Sequence, residues 1–281
     1  MKKILITGAD SYVGTQVEKW LLKYTDDYYV KTIDVKDETW NEYDFSMYDA
    51  VLHVAGIAHV KETKKNRELF FSINRDLTYK VACKAKQEGV KQFIFISSMS
   101  VYGLITGVID NNTIEKPNTA YGKSKLEAEK LIKSMENDDF IITILRPPMI
   151  YGKGCKGNYN TLRKIALTSP IFPKIDNKRS MIFIDNFCLF IKKILDNKLS
   201  GTFFPQNSSY VNTSEMVKFI ATVNRKRILL VKWMAIVSFL PFKNVKKAFG
   251  TFIYKYENKQ NLILGEDQVY NFKESIWKTE L

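Results

Sequence analysis

In the run Tyr121-Gly-Lys-Ser-Lys125 a phenol and an ammonium stand one helical turn apart. On a helix both side chains share one face. A free phenol titrates at about 10 and is a poor acid or base at neutral pH, whereas a neighbouring ammonium favours the phenolate and lowers that value. Upstream, Phe93-Ile-Phe-Ile-Ser-Ser-Met-Ser100 closes a strand-like run on Ser97, Ser98 and Ser100. A serine hydroxyl there could hold a carbonyl or alcohol oxygen against the phenol. The implied chemistry is proton transfer at a carbon–oxygen bond. Two histidines, His53 and His59, and three cysteines, Cys83, Cys155 and Cys188, show no ligand spacing, so neither a metal site nor a disulfide framework is expected.

The first residues offer a second kind of site, for a phosphate group. The chain opens Met1-Lys-Lys-Ile-Leu-Ile-Thr-Gly8-Ala-Asp-Ser11-Tyr-Val-Gly14. An apolar strand runs into Gly8, and a helix follows from about Val13 to Tyr24. A turn of this kind points helix N–H groups, here those at Tyr12 and Val13, towards a pyrophosphate. Gly8 suits the tight turn and Gly14 the close packing of helix on sheet. Ser11 stands where a third glycine is usual; its side chain is small and carries a hydroxyl. Asp34 closes the next strand-like run, where a carboxylate can accept ribose hydroxyls and repel a 2′-phosphate. Lys36, two residues on, could instead pair with that phosphate.

The elements that position these groups alternate. Ile4–Thr7, Tyr29–Asp34, Ala50–Val54, Gln92–Ser97 and Ile141–Leu145 read as continuous apolar strands of a sheet buried on both faces. Glu68–Glu88 and Ala120–Glu136 read as amphipathic helices. The expected fold class is α/β, a doubly wound parallel Rossmann sheet over 1–150, with a smaller interleaved C-terminal substrate lobe over 151–281 that returns some segments to the first domain. The stretch 35–49 is too short for a full strand-helix-strand excursion.

With 281 residues and 45% apolar content the chain can bury a sizeable core. No apolar run is long enough to span a membrane and the first residues enter a strand directly, so the expectation is a cytoplasmic protein. The formal charge of +13 is spread over expected helix faces and reads as solvated surface, without nucleic-acid binding. One stretch differs. Arg225–Tyr256 mixes apolar runs with Lys and Arg and contains no acidic residue. It reads as a basic helical pair packed on its own domain, with a weak peripheral membrane contact left open. A homodimer is also left open.

Taken in order, these features resemble the extended short-chain dehydrogenase/reductase family, the NAD-dependent epimerases and dehydratases of nucleotide sugars. The resemblance runs from Lys3 to about Leu195 through "ITGADSYVG", "LHVAGIAHV", "SINRDLTYK", "YGKSKLEAEKLI", "ILRPPMIYGKGCKGN" and "RSMIFIDNF". It implies that Ser98, Tyr121 and Lys125 are catalytic, with Asn74 supporting the architecture of the site. It places Ala55 and Gly56 along the cofactor, Asp44 near its adenine and Pro148 near its nicotinamide. It implies substrate contacts from Ser98, Ser100, Asn158 and Arg179, the last gripping a phosphate with its planar fork. The cofactor is expected to be NAD(H), with NADP(H) as the alternative, and the partner a nucleotide-sugar substrate. Met99 and Ser100 stand where dehydratases of this family carry an Asp-Glu pair, which excludes that reaction. Reduction of a 4-keto-6-deoxy(N-acetyl)hexose nucleotide, a precursor of surface polysaccharide, is the leading reading and a 4-epimerase the runner-up. A non-catalytic dinucleotide sensor is the reading from another class.

Overall fold

The protein is described by a computed structural model for residues 1–58, 60–255 and 268–281. His59 and Tyr256, both singled out above, lie outside the described residues. β1 (Lys2–Thr7) turns into α1 (Tyr12–Leu21) and β2 (Tyr28–Ile33). β3 (Ala50–His53) leads to α2 (Arg67–Phe71), a π-helical turn over Ser72–Leu77, and α3 (Thr78–Gln87). β4 (Gln92–Ile96) is followed by a 3₁₀ turn over Met99–Tyr102, β5 (Gly107–Ile109) and α4 (Ala120–Lys133). Next come β6 (Ile141–Leu145), β7 (Met149–Tyr151), α5 (Asn158–Thr168), β8 (Ile171–Pro173) and β9 (Met181–Phe183). The chain ends with α6 (Ile184–Asp196), β10 (Gly201–Phe203), α7 (Thr213–Val223), β11 (Leu229–Val231), α8 (Lys243–Phe249), β12 (Phe252–Tyr254) and α9 (Phe272–Glu280).

These elements divide into two units. The first comprises residues 1–103, 114–147 and 188–204, and the second residues 104–113, 148–187 and 205–281. The division falls after Pro147, and the second unit also takes 104–113 out of the middle of the first.

The first unit is built on a six-stranded sheet in the order β10-β6-β4-β3-β1-β2, and its pairings are parallel. Ile4, Leu5 and Ile6 of β1 are all fully buried, as a strand covered on both faces requires. On one face Leu5, Val51, Phe93 and Ile142 pack with Val81 of α3 and Ala128 of α4. At the other face Gln92 Nε2 donates to the Ile194 and Leu199 carbonyls at 3.5 and 3.3 Å, anchoring the end of α6. The short 35–49 stretch forms a 3₁₀ turn over Glu38–Glu42 and adds no strand beyond β2. Instead Val35, Trp40, Phe45 and Tyr48 bury their side chains in the same core. Each such burial contributes about 1.5–3 kcal/mol, which offsets the missing strand.

Register decides where the chemistry sits. Thr7 pairs with Ile33 and His53, and His53 with Phe95. The residues just beyond, Gly8, Asp34, Val54 to Gly56 and Ser97 to Ser98, therefore leave the sheet along one edge. That edge is where open parallel sheets bind ligands, and the order β2-β1-β3 puts its switch point between β1 and β3.

Among its described residues the second unit carries three parallel two-stranded ladders, β5 with β12, β8 with β11 and β7 with β9. Arg225–Tyr256, expected as a pair of helices, instead holds, as far as residue 255, β11, a 3₁₀ helix over Trp233–Phe239, the short α8 and β12. Among the described residues no helix is long and apolar enough to cross a membrane, and no acid, His or Cys cluster could hold a metal ion.

Candidate active site

The turn after β1 is shaped by two glycines. Gly8 has φ +120°, and a Cβ there would stand 2.7 Å from the Ala55 nitrogen. A Cβ on Gly14 would meet Val54 Cγ2 and Ser11 Oγ, each at 2.9 Å. Side chains at either position would push the turn off the exit of β3. Ser11 caps α1, its Oγ accepting the Gly14 N–H at 2.9 Å, and a hydroxyl that accepts one bond still has a proton to donate. Tyr12 and Val13 open the helix at the positive end of its dipole, and the first turn carries no acid. The cradle therefore fits a diphosphate.

Beside it, Asp34 receives the Lys36 N–H at 3.0 Å and faces the Lys36 ammonium at 3.1 Å. Lys36 also lies 3.6 Å from Asp10. Burial works to raise the Asp34 carboxyl, but the bonds and charge of Lys36 outweigh it and hold it below the usual range. With two carboxylates on one ammonium, this corner is better matched to ribose hydroxyls than to another phosphate. Asp44 is placed differently. It is exposed and accepts the Ser46 N–H at 2.8 Å within its own turn, an occupation the short 35–49 stretch explains.

Ala55 and Gly56 follow β3. A Cβ on Gly56 would stand 2.8 Å from Asn74 Oδ1 and 3.3 Å from Lys125 Nζ, so the bare backbone lets the two side chains close on this loop. Asn74 sits in the π-helical turn, fully buried. It accepts the Ile57 N–H at 2.8 Å and donates to the Ile57 carbonyl at 3.1 Å and to Ser124 Oγ at 3.2 Å. It thus ties the cofactor-side loop to α4. The helix expected over Glu68–Glu88 runs from Arg67 to Gln87 with this π turn inside it, and π turns of this kind recur at functional sites.

Thr119 caps α4 by accepting the Gly122 N–H at 3.1 Å. A Cβ on Gly122 would stand 2.6 Å from the Ser100 carbonyl, so this glycine lets the helix start close against the serine turn. Ser98 caps that turn, accepting the Ser100 N–H at 3.1 Å and donating to Ser100 Oγ at 3.1 Å. The Ser98 side chain also lies near enough to the Tyr121 phenol to favour its ionised form. The Met99 N–H holds the Pro147 carbonyl at 3.0 Å. One turn deeper, Lys125 is buried and donates to the Ile96 carbonyl at 2.8 Å, its ammonium 4.5 Å from the Phe95 ring centre.

The electrostatics correct one expectation. Burial pushes the Tyr121 phenol up, and the nearby Ser98 recovers only part of the shift. Lys125 does not lower it, because burial pulls the lysine itself down to about 7 against the opposing charge of Glu129. The phenol of the protein alone is a proton donor.

Two networks behind the pair were not legible as motifs. Arg146, just past β6, holds both oxygens of buried Glu129 on α4, and its other arm reaches Glu115 and the Tyr102 hydroxyl, each at 2.8 Å. Ser97 bonds the same Glu129. The only sequence signal was a charge four residues past Lys125, on the same helical row. His53, fully buried in β3, links Thr7 Oγ1 at 2.6 Å to Thr78 Oγ1 at 3.1 Å, and Thr78 donates on to the Asn74 carbonyl. Burial pulls its imidazole down to about 3, Lys125 adding to the shift.

The second unit holds the remaining expected contacts. Pro148 is buried next to β7, and Asn158 is exposed as the first residue of α5. Arg179 donates to the Gly250 carbonyl at 2.9 Å and lies 5.9 Å from the Phe252 ring centre. Burial draws its guanidinium down to about 10, which makes it a desolvated cation suited to an anionic group.

A parallel sheet with a diphosphate cradle after its first strand and a Tyr/Lys pair past its fourth defines a dinucleotide-dependent oxidoreductase or epimerase. The chain belongs to the NAD dependent epimerase/dehydratase family, whose profile matches residues 4–203. It is 30% identical to the UDP-glucose 4-epimerase of Vibrio cholerae over 276 residues, 89% of this chain and 83% of that protein. It is 29% identical to the N-acetyl-alpha-D-glucosaminyl-diphospho-ditrans,octacis-undecaprenol 4-epimerase of Escherichia coli O157:H7, over 70% of this chain and 64% of that one. In fold it matches the UDP-glucuronic acid 4-epimerase of Bacillus cereus solved with NAD, with a TM-score of 0.77 and 20% identity over 99% of this chain and 95% of the other.

Proposed function

We propose that the protein is an NAD-dependent 4-epimerase of a nucleotide-linked hexose. The observation that carries this reading is the likeness to the Vibrio cholerae 4-epimerase, which extends over 89% of the chain and so beyond the catalytic unit. It moves the 4-epimerase ahead of the 4-ketoreductase that the motif stretches favoured, while the Tyr/Lys pair serves both reactions.

Gly8, Ser11, Tyr12, Val13 and Gly14 would hold the cofactor's diphosphate, Asp34 its adenosine ribose, and Ala55, Gly56 and Lys125 its nicotinamide side. When bound, NAD supplies a hydride acceptor and afterwards a donor, and its positive ring favours a phenolate. Tyr121 takes the proton from the C4 hydroxyl and returns it on the other face of the sugar, worth about 10² to 10⁴ in rate. Ser98 and Ser100 hold the C4 oxygen through both steps. Arg179 and Asn158 grip the substrate's diphosphate, so that the hexose can turn while its anchor stays fixed. The Asp10–Lys36–Asp34 corner gives NAD the preference over NADP.

The test is incubation with UDP-hexoses and NAD, with products resolved by NMR. Inversion at C4 without net NADH production is expected, and more weakly with NADP. Consumption of one NADH per 4-keto sugar, with no inversion of ordinary nucleotide hexoses, would replace the epimerase by the reductase.

A further inference from the structure

Three apolar side chains in the second unit stand in a row and are largely exposed. Trp233, Ile236 and Phe239 are 77%, 69% and 84% exposed. They lie three residues apart on a 3₁₀ helix, whose three-residue turn stacks them on one face. Met234, Ala235, Val237 and Ser238, on the remaining faces, are half-buried where the helix packs against β8 and α8. Phe242, 63% exposed, continues the apolar surface into α8. Exposed apolar surface on this scale marks a binding face rather than chance.

The charges around it indicate the occupant. Arg225, Lys226, Arg227, Lys232, Lys243, Lys246 and Lys247 are all exposed, and residues 225–249 contain no Asp or Glu. A second copy of this chain meeting the same face would bring like charges together, which disfavours a dimer here. A surface that is negative outside and apolar just beneath satisfies both features at once. Trp and Phe with flanking Lys and Arg are the residues that settle at the headgroup boundary of a bilayer.

We infer that the 3₁₀ helix and α8 form a docking face for an anionic lipid bilayer, on which the protein lies peripherally. Trp233, Ile236, Phe239 and Phe242 enter the headgroup region, and the lysines and arginines face the lipid phosphates. This attachment goes beyond the C4 chemistry and is independent of it, because it can be read with no substrate present.

The test is flotation of the whole protein with vesicles of phosphatidylcholine alone or mixed equally with phosphatidylglycerol. The protein is expected to float with the mixed vesicles, to stay behind with the neutral ones, and to be released by salt. Trp233→Ser with Phe239→Ser should weaken mixed-vesicle binding about tenfold or more through lost apolar burial. Lys246→Glu with Lys247→Glu should weaken it by about tenfold or more through lost attraction. Both pairs are surface changes, and circular dichroism and epimerisation of soluble UDP-hexoses should match the parent. Failure of the parent to float with mixed vesicles would overturn the inference, as would full binding by the Trp233/Phe239 variant. So would a parent dimer that this variant converts to monomer, since the face would then join two copies of the chain.

Discussion

Tyr121, Lys125 and Glu129 form one row along α4, yet the two ends of that row are opposite in kind. At the deep end Glu129 is saturated, with both oxygens on Arg146 and a further bond from Ser97. At the other end Lys125 donates to a backbone carbonyl rather than to a carboxylate, and burial leaves it at about 7, while burial holds the Tyr121 phenol up. A buried ion with all its bonds made is an anchor. A buried base held near neutrality by desolvation is poised to change state, which is what a proton-transferring site requires.

The largest expected effect lies at the open end. Tyr121→Phe removes only the proton carrier, so turnover should fall by about 10² or more while cofactor affinity and urea midpoint stay unchanged. Near-normal turnover would strip the row of its catalytic end. At the closed end the loss should appear in stability instead. Glu129→Gln leaves Arg146 buried with half its charge pairing gone and should cost roughly 3–5 kcal/mol in urea unfolding. Lys125→Met should cost little stability, since it removes a desolvated cation, but should abolish turnover. If the two substitutions destabilise equally, the contrast between anchor and poised base is wrong.

The third prediction extends the contrast to His53, a buried base held neutral behind the strand ends. Its folded value of about 3 lies below the ordinary 6.5, so the unfolded chain binds the extra proton between those values. Stability should therefore be fully present above pH 6.5 and fall as the pH drops towards 3. The share due to His53 is on the order of 1–3 kcal/mol, visible as a flatter slope of urea midpoint against pH in His53→Gln. Parallel slopes in parent and variant would show that His53 takes no part in the acid response.

Much of this arrangement is local and could be read in one dimension. The apolar runs at Ile4–Ile6 and Phe93–Ile96 have no polar face, so they become strands covered on both sides. The Tyr121/Lys125 spacing needs only a helix to put both groups on one face, and Gly8 and Gly14 are demanded by backbone geometry within a single turn. What stayed hidden depends on contacts between distant segments. Asn74 sits in a π turn where its side chain bonds Ile57, seventeen residues back, and Ser124, fifty residues on. The 35–49 stretch adds no strand because its aromatics fill the core from the edge.

The sequence by itself therefore determined five of the six strands of the first sheet, the glycine turn after β1 and the one-turn spacing of Tyr121 and Lys125, because each follows from residue type and short-range spacing. Only the tertiary structure decided the ionisation of that pair and the exposure of the Trp233 row. Desolvation is a property of everything packed around a group, and it reversed the shift expected for Tyr121 from Lys125 alone. Exposure is likewise set by which face of a 3₁₀ helix the fold turns inward, and the apolar run Trp233–Phe239 carries no polar side that would have announced it.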